Sequence, residues 1–157
     1  MKIKKYLLTE SEYTRRREKM SRVENIVITS SRYAGFSALK NRNAIERLKN
    51  QKEKYFSCHY IIDNKGIVLN IIPETETAIC TKNDKIDSKS ISILLTLDKN
   101  NEYSSKELLA LNSLITKLKS KYNLEEENIL KEYDVNGSRR PVIFIEEPIL
   151  LHELQKK

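Results

Sequence analysis

The sequence predicts a single-domain α/β protein in which a mixed β-sheet is flanked by helices. Three observations support this fold class. Short apolar runs rich in β-branched residues alternate along the chain with two segments of helical periodicity. No repeat or low-complexity linker divides residues 1–157. With 39% hydrophobic residues, a chain of this length is large enough to bury one core without disulfides.

The first half of the chain predicts a strand, a helix and a hairpin after a basic N-terminal lead-in at residues 1–23. Residues 25–29 are a short apolar run that predicts a buried strand. Residues 37–54 predict a helix, because their apolar side chains recur at helical spacing. Residues 58–63 and 66–72 flank a turn that ends in glycine, which is typical of a β-hairpin.

The second half predicts two further strands, a long helix and a last strand. Residues 77–80 predict a short strand, and residues 90–97 predict a central one because their apolar run is nearly continuous. Ser104 and Glu107 have the spacing of a capping box, so the clearest helix begins there. The remaining predictions are a last strand, a loop and a helical C-terminal tail, at residues 128–133, 134–141 and 146–157.

Charge is distributed unevenly along the chain. Residues 1–54 hold 15 Lys/Arg and 6 Asp/Glu, whereas residues 55–157 hold 14 and 16. A basic flank of this kind favours nucleic acid or an anionic cell-wall polymer, although most charge runs are solvated surface. The flank contains no helix-turn-helix pattern and no basic motif with stacked aromatics. The sequence therefore argues against a nucleic-acid partner.

The N-terminus and the cysteines indicate the compartment. The longest apolar run near the start is Tyr6 to Leu8, which is shorter than the roughly 7–15 residues of a signal peptide. No stretch approaches the about 18 apolar residues of a membrane span. Cys58 and Cys80 match no CxxC pattern. We therefore expect a cytoplasmic protein without a membrane span, whose export would need another route.

Six motifs follow one another along the chain: NIVITS (25–30), NRNAIERLKN (41–50), SCHYIIDNKGIVLNIIPE (57–74), SISILL (90–95), YSSKELLALNSLITKLKSKYNL (103–124) and EYDVNGSRRP (132–141). Their order resembles the type 2 N-acetylmuramoyl-L-alanine amidases, the zinc enzymes of phage lysins and bacterial autolysins that are related to peptidoglycan recognition proteins. The resemblance covers residues 1 to 145. It implies a mixed sheet with a zinc site at its edge, over a groove for the peptide stem of peptidoglycan.

In that family, zinc polarises the lactyl amide carbonyl and activates the water that cleaves the bond between N-acetylmuramic acid and L-alanine. The chemistry needs three protein ligands and an open fourth position. The resemblance places the strand histidine on Thr29, the histidine of the HYDV-type motif on Glu132, and the cysteine or aspartate before the proline on Arg140. The general-base glutamate falls on Leu94, and the lysine that stabilises the oxyanion falls on Ser138.

These substitutions predict a pseudoenzyme with no catalytic residues and no zinc cofactor. Threonine is a poor zinc ligand, and the guanidinium of Arg140 cannot lose its proton to become one. Only Glu132 keeps the chemistry of a ligand. We expect Glu132 and Arg140 to form a salt bridge that replaces the metal as a clip between strand and loop.

The leading hypothesis is a catalytically inactive amidase-like protein that binds peptidoglycan stem fragments or a protein partner related to the cell wall. The first helix and the pair Arg139 and Arg140 suit the carboxylates of stem peptides. The candidate groove residues are Asn41, Arg42, Asn43, Cys58, Tyr60, Glu132, Arg139 and Arg140.

Two alternatives belong to other functional classes. The first is an active amidase with an unconventional site, either a metal held by Cys58, Cys80 and Glu132 or a thiol mechanism at Cys58. Strand alternation predicts Cys58 and Tyr60 on one face and His59 on the other. A buried apolar role for Cys58 and a hydrogen-bonded structural role for His59 are the simpler interpretations. The second alternative is a basic regulatory or nucleic-acid-binding module at residues 1–54.

Overall fold

Six strands form one mixed sheet in the computed structural model, which describes residues 1–155. The strands lie in the order β1-β4-β3-β5-β2-β6. β3 and β4 are antiparallel, and every other neighbouring pair is parallel. The mixed sheet and its flanking helices confirm the predicted fold class. The strands are β1 (Ile3–Lys5), β2 (Asn25–Ser30), β3 (Tyr60–Ile62), β4 (Val68–Asn70), β5 (Ser90–Leu95) and β6 (Ile129–Lys131).

Seven α-helices accompany the sheet within the described residues. The predicted helix at residues 37–54 is present but broken at Arg47, whose N–H caps the first segment before a short second one begins. No helix of the described part of the chain is long and apolar enough to cross a membrane. The helices are α1 (Ala38–Glu46), α2 (Leu48–Gln51), α3 (Asp84–Asp87), α4 (Ser105–Tyr122), α5 (Glu132–Asn136), α6 (Val142–Glu146) and α7 (Pro148–Leu154).

The predictions of the hairpin and of the central strand are confirmed, but the prediction of a short strand at residues 77–80 is wrong. Gly66 closes the β3–β4 turn with φ of +80°, a conformation that glycine adopts without strain. β5 lies between β3 and β2, as its apolar run predicts. Residues 77–80 form no strand, because their hydrogen bonds go to two irregular segments, at Glu18 and at Ser57.

The capping box of the long helix forms only in part. Ser104 accepts the N–H of Glu107 at 3.1 Å, as predicted for the cap of α4. The Glu107 carboxylate does not return to the cap. It accepts the N–H of Thr96 at 2.8 Å, directly beyond β5, and is fully buried. Glu107 therefore ties α4 to the sheet.

Two apolar clusters cover the sheet, one on each face. The larger cluster joins the sheet to α4, α6 and α7, and the smaller one joins it to α1. Phe144, Leu151 and Leu154 are buried in the larger cluster. The segment predicted as a tail at residues 146–157 therefore contributes Leu151 and Leu154 to the core, and residues 156–157 lie outside the described residues. The lead-in at residues 1–23 likewise supplies β1, which pairs with β4.

Candidate functional site

A set of parallel strands brings the altered positions to one edge of the sheet. β2 lies between β5 and β6, and Thr29 pairs in register with Leu94. Ile28 pairs with Lys131, the last residue of β6, so Glu132 follows beside Thr29. Because parallel strands end at a common edge, residues far apart in sequence meet there.

A cavity of about 520 Å³ lies over this edge, between α1 and the segment around α5. All five positions that the resemblance assigns to zinc chemistry line it: Thr29, Leu94, Glu132, Ser138 and Arg140. Its size falls in the range of small-molecule sites.

Glu132 is held by neutral hydrogen-bond donors. Its side chain is buried, with one carboxylate oxygen 2.5 Å from the Thr29 hydroxyl and the other 2.9 Å from the Asn136 amide. Asn136 also donates to the Thr81 carbonyl at 3.1 Å. Thus two residues at predicted zinc-ligand positions, Thr29 and Glu132, bond directly to each other.

The predicted salt bridge between Glu132 and Arg140 is wrong. α5 begins at Glu132, where the sequence predicts a strand leading into a loop, and its first turn places Asn136 over the carboxylate. Gly137 then ends the helix, and Arg140 lies beyond it without an ion-pair partner among the described residues. Within residues 1–155 its guanidinium donates to the Ser138 hydroxyl alone, at 3.4 Å.

The electrostatics of Arg140 reflect its position in a partly closed, positively charged cavity. Burial, followed by the nearby Arg32 cation, lowers the pKa of Arg140, whereas the Glu132 carboxylate acts in the opposite direction. Arg32, Lys54 and Lys82 also line the cavity. Sequence reasoning missed these three cations. The only signal for Arg32 was its place two residues beyond β2, near the edge where Thr29 lies.

The residues at this edge do not fit the zinc that the resemblance implies. Thr29 offers a neutral hydroxyl that already donates to Glu132, and Arg140 is a permanent cation. Glu132 alone has the chemistry of a ligand, whereas a zinc site needs three. Within residues 1–155 no three His, Cys, Asp or Glu side chains are grouped to hold a metal, and this includes the set Cys58, Cys80 and Glu132.

The candidate residues of the first helix separate into two groups. Asn41 lines the cavity but is buried and bonds locally, to the Ser31 hydroxyl at 2.6 Å and the Ser37 carbonyl at 3.0 Å. Arg42 points away from the cavity, with its guanidinium 3.9 Å from the Tyr6 ring centre and donating to the Leu7 carbonyl at 2.6 Å. Asn43 accepts from Arg42 and does not line the cavity.

Cys58 and Tyr60 lie on opposite faces of the sheet, which corrects the predicted alternation. Cys58 packs in the smaller apolar cluster, which joins the sheet to α1. Tyr60 packs in the larger cluster, which joins the sheet to α4, and its hydroxyl donates to Glu74. The alternation fails because regular strand begins only at Tyr60. Burial raises the pKa of the Cys58 thiol, which disfavours a nucleophilic thiolate.

His59 has the structural role that the sequence predicts. It is fully buried, and burial lowers its pKa to about 4. Nδ1 accepts the Ser92 N–H at 3.0 Å, and Nε2 donates to the Glu76 carbonyl at 2.7 Å. Arg139 also lies away from the cavity, with its guanidinium 5.9 Å from the Tyr133 ring centre.

Comparison with known proteins places this chain in a family. Residues 19–143 match the family model described as N-acetylmuramoyl-L-alanine amidase. The N-acetylmuramoyl-L-alanine amidase CwlL of Bacillus licheniformis is 27% identical over 168 aligned residues. That alignment covers 100% of this chain and 46% of the relative, so the chain spans about half the length of CwlL.

Solved structures share the fold at low sequence identity. The catalytic domain of XlyA superimposes with a TM-score of 0.85 and 14% identity, covering 99% of both chains. PlyL superimposes with a TM-score of 0.82 and 20% identity, covering 99% of this chain and 98% of that one. At these identities the likeness extends to the fold alone.

Proposed function

This chain belongs to the N-acetylmuramoyl-L-alanine amidase family, and from that membership we propose that it is a member without amidase activity that binds peptidoglycan fragments. The observation that carries the proposal is the hydrogen bond between Thr29 and Glu132. In the assignment by resemblance, both residues occupy zinc-ligand positions, and they bond to each other instead of presenting lone pairs to a metal.

The rest of the cavity wall supports inactivity. Leu94 lines the cavity at the position to which the resemblance assigns the general base, and a leucine can neither accept nor deliver a proton. Glu132, the one carboxylate of the wall, has both oxygens engaged by Thr29 and Asn136. Cys80 also lines the cavity, but burial and then the Asp87 carboxylate raise the pKa of its thiol.

The cavity itself supports binding. Its wall includes Tyr33, Tyr55 and Phe56, whose rings offer contact area to a sugar or peptide. The cations of the wall suit the carboxylates of stem peptides. A concave site of this volume fits a fragment of peptidoglycan better than the broad surface of a protein partner, which usually buries about 800 Å² on each side.

The proposal is tested by three measurements on the 157-residue chain. We expect no stoichiometric zinc by mass spectrometry, no release of soluble products from purified cell walls with or without added zinc, and saturable calorimetric binding of N-acetylmuramoyl-L-alanyl-D-isoglutamine. A zinc-dependent amidase serves as the positive control for hydrolysis. Stoichiometric zinc together with hydrolysis would establish an active enzyme and overturn the proposal.

A further inference from the structure

The cavity has more positive charge than its own carboxylate can balance. Four cationic side chains line it, namely Arg32, Lys54, Lys82 and Arg140, against the single carboxylate of Glu132. None of the four forms a salt bridge with an acidic residue of the described chain. The cavity wall therefore has a net positive charge that attracts an anionic ligand.

Arg32 and Arg140 differ from most arginines of this protein. Five others, at positions 15, 16, 17, 22 and 42, pair with carboxylates. Arg32 and Arg140 come from separate segments, one beyond β2 and one beyond α5, and meet at the same cavity. Two like charges held together unpaired are stabilised by an anion that contacts both.

We propose that Arg32 and Arg140 clamp a free carboxylate of the ligand inside this cavity. The inference rests on the proposed binding of peptidoglycan fragments and specifies which fragments are selected. A guanidinium presents parallel N–H donors in a planar fork, which matches the two oxygens of a carboxylate. Glu132 occupies neither guanidinium, because its own oxygens accept hydrogen bonds from Thr29 and Asn136.

The carboxylate has two sources in a peptidoglycan fragment, and the same experiment separates them. N-acetylmuramic acid presents the free carboxylate of its lactyl group, whereas L-alanyl-D-glutamic acid presents carboxylates of a stem peptide. N-acetylglucosamine, which lacks the lactyl group, is the uncharged control sugar. Inorganic phosphate tests whether the site accepts any anion.

Binding is measured by titrating each probe into ¹⁵N-labelled protein and following the arginine Nε–Hε signals by NMR. We expect at least one carboxylate probe to shift the Arg140 signal. Arg140→Gln and Arg32→Gln each weaken that binding about tenfold or more, the usual effect of losing a charge-assisted hydrogen bond. The matched control Arg139→Gln, whose side chain stacks over Tyr133 outside the cavity, binds as the wild type does.

The inference is overturned if neither carboxylate probe binds. It is also overturned if Arg140→Gln and Arg32→Gln bind the probe as tightly as the wild type does. Binding of N-acetylglucosamine or phosphate as tight as that of the carboxylates would likewise overturn it. Arg32 is exposed, so its variant keeps the test valid should Arg140→Gln unfold. Unchanged binding of N-acetylmuramoyl-L-alanyl-D-isoglutamine by both variants, without wall hydrolysis, rejects the clamp alone. Wall hydrolysis by the wild type rejects the proposed function instead.

Discussion

At the scale of single residues, the contribution of the Thr29–Glu132 hydrogen bond to the free energy of unfolding can be measured by removing its donor. Thr29→Val keeps the shape of the side chain but removes the donor, so one oxygen of the buried Glu132 carboxylate loses its partner. We expect the free energy of unfolding to fall by about 1–3 kcal/mol. Urea denaturation at pH 7 measures the change. The control is Thr116→Val on the exposed face of α4, which should change stability by less than about 0.5 kcal/mol. Equal losses in the two variants would contradict a special role for the bond.

His59 predicts an acid limit to stability. Burial lowers its folded-state pKa to about 4, whereas an unfolded histidine titrates near about 6.5. Between these values the unfolded chain binds the extra proton, so the stability that His59 contributes is complete above about pH 6.5 and is lost as the pH drops toward about 4. The loss from this residue reaches roughly 3 kcal/mol.

The measurement is urea unfolding at several values between about pH 7 and pH 4, for the wild type and His59→Gln. The variant loses stability at neutral pH, because the Ser92 and Glu76 contacts change. The difference in unfolding free energy between the wild type and the variant should shrink on acidification from about pH 6.5 to pH 4, because only the wild type loses the contribution of His59. Parallel profiles would exclude His59 as the titrating group.

Sequence reasoning identified the residues of the cavity edge better than their contacts. Thr29, Glu132 and Arg140 were placed by motif register, and they line one cavity. The predicted pairing of Glu132 with Arg140 is wrong because α5 places Asn136, and not Arg140, against the carboxylate. The sequence gives little sign of α5, since a helix of five residues is too short for a periodic pattern. Arg32 was missed because the path of a loop beyond a strand depends on tertiary contacts.

At the scale of elements, α4 is joined to β5 through a carboxyl group that is protonated at neutral pH. Burial, reinforced by Asp63 and Asp98, raises the pKa of Glu107 to about 8, against the hydrogen bonds from Thr96. In the unfolded chain the group ionises near about pH 4.3. Between the two values the folded state holds the proton and the unfolded state does not, so stability falls as the pH rises toward about 8, by up to roughly 1.4 kcal/mol per unit.

This slope is clearest from about pH 6.5 to pH 8, where His59 no longer contributes. Glu107→Gln retains a neutral group of the same size, and we expect its unfolding free energy to stay nearly level over that range. Thermal or urea unfolding at closely spaced pH values compares the two proteins. The same decline in the variant would show that another group is responsible.

The C-terminal helix α7 is predicted to be indispensable to the fold. Leu151 is buried in the larger apolar cluster, whereas Ile149 on the same helix is 66% exposed. Leu151→Ala should cost about 2–5 kcal/mol, and the matched control Ile149→Ala less than about 1 kcal/mol. Urea denaturation gives both values. A small effect at Leu151 would mean that α7 contributes little to the stability of the fold.

Elements with continuous apolar patterns or a clear turn signal were predicted well, whereas helix boundaries set by capping were not. β2, β5 and α4 have continuous apolar patterns that survive in the structure. The break of the first helix at Arg47 and the start of α5 at Glu132 depend on capping and on neighbouring strands. Local patterns do not encode either.

At the scale of the whole molecule, the fold should still be able to hold zinc if the ligands are restored. We predict that the triple variant Thr29→His, Glu132→His, Arg140→Cys binds about one zinc per chain, because the three positions line one cavity and supply a donor set that zinc accepts. The wild type should bind none. Mass spectrometry of protein purified with added zinc measures the content.

The matched control replaces Arg140→Cys by Arg139→Cys, with the other two substitutions unchanged. Arg139 does not line the cavity, so this variant should bind zinc much more weakly. Equal zinc content in the two triple variants would show that the register assigned to residues 132–141 is wrong.

The neutral shell around Glu132 has a consequence for the life of the protein in a cell. Where folding awaits a metal, the supply of that metal controls how much protein survives. Here the Glu132 carboxylate accepts hydrogen bonds from the Thr29 hydroxyl and the Asn136 amide, which belong to the chain itself and need no supply from the cell. We therefore expect the protein to accumulate equally in zinc-replete and zinc-starved cultures.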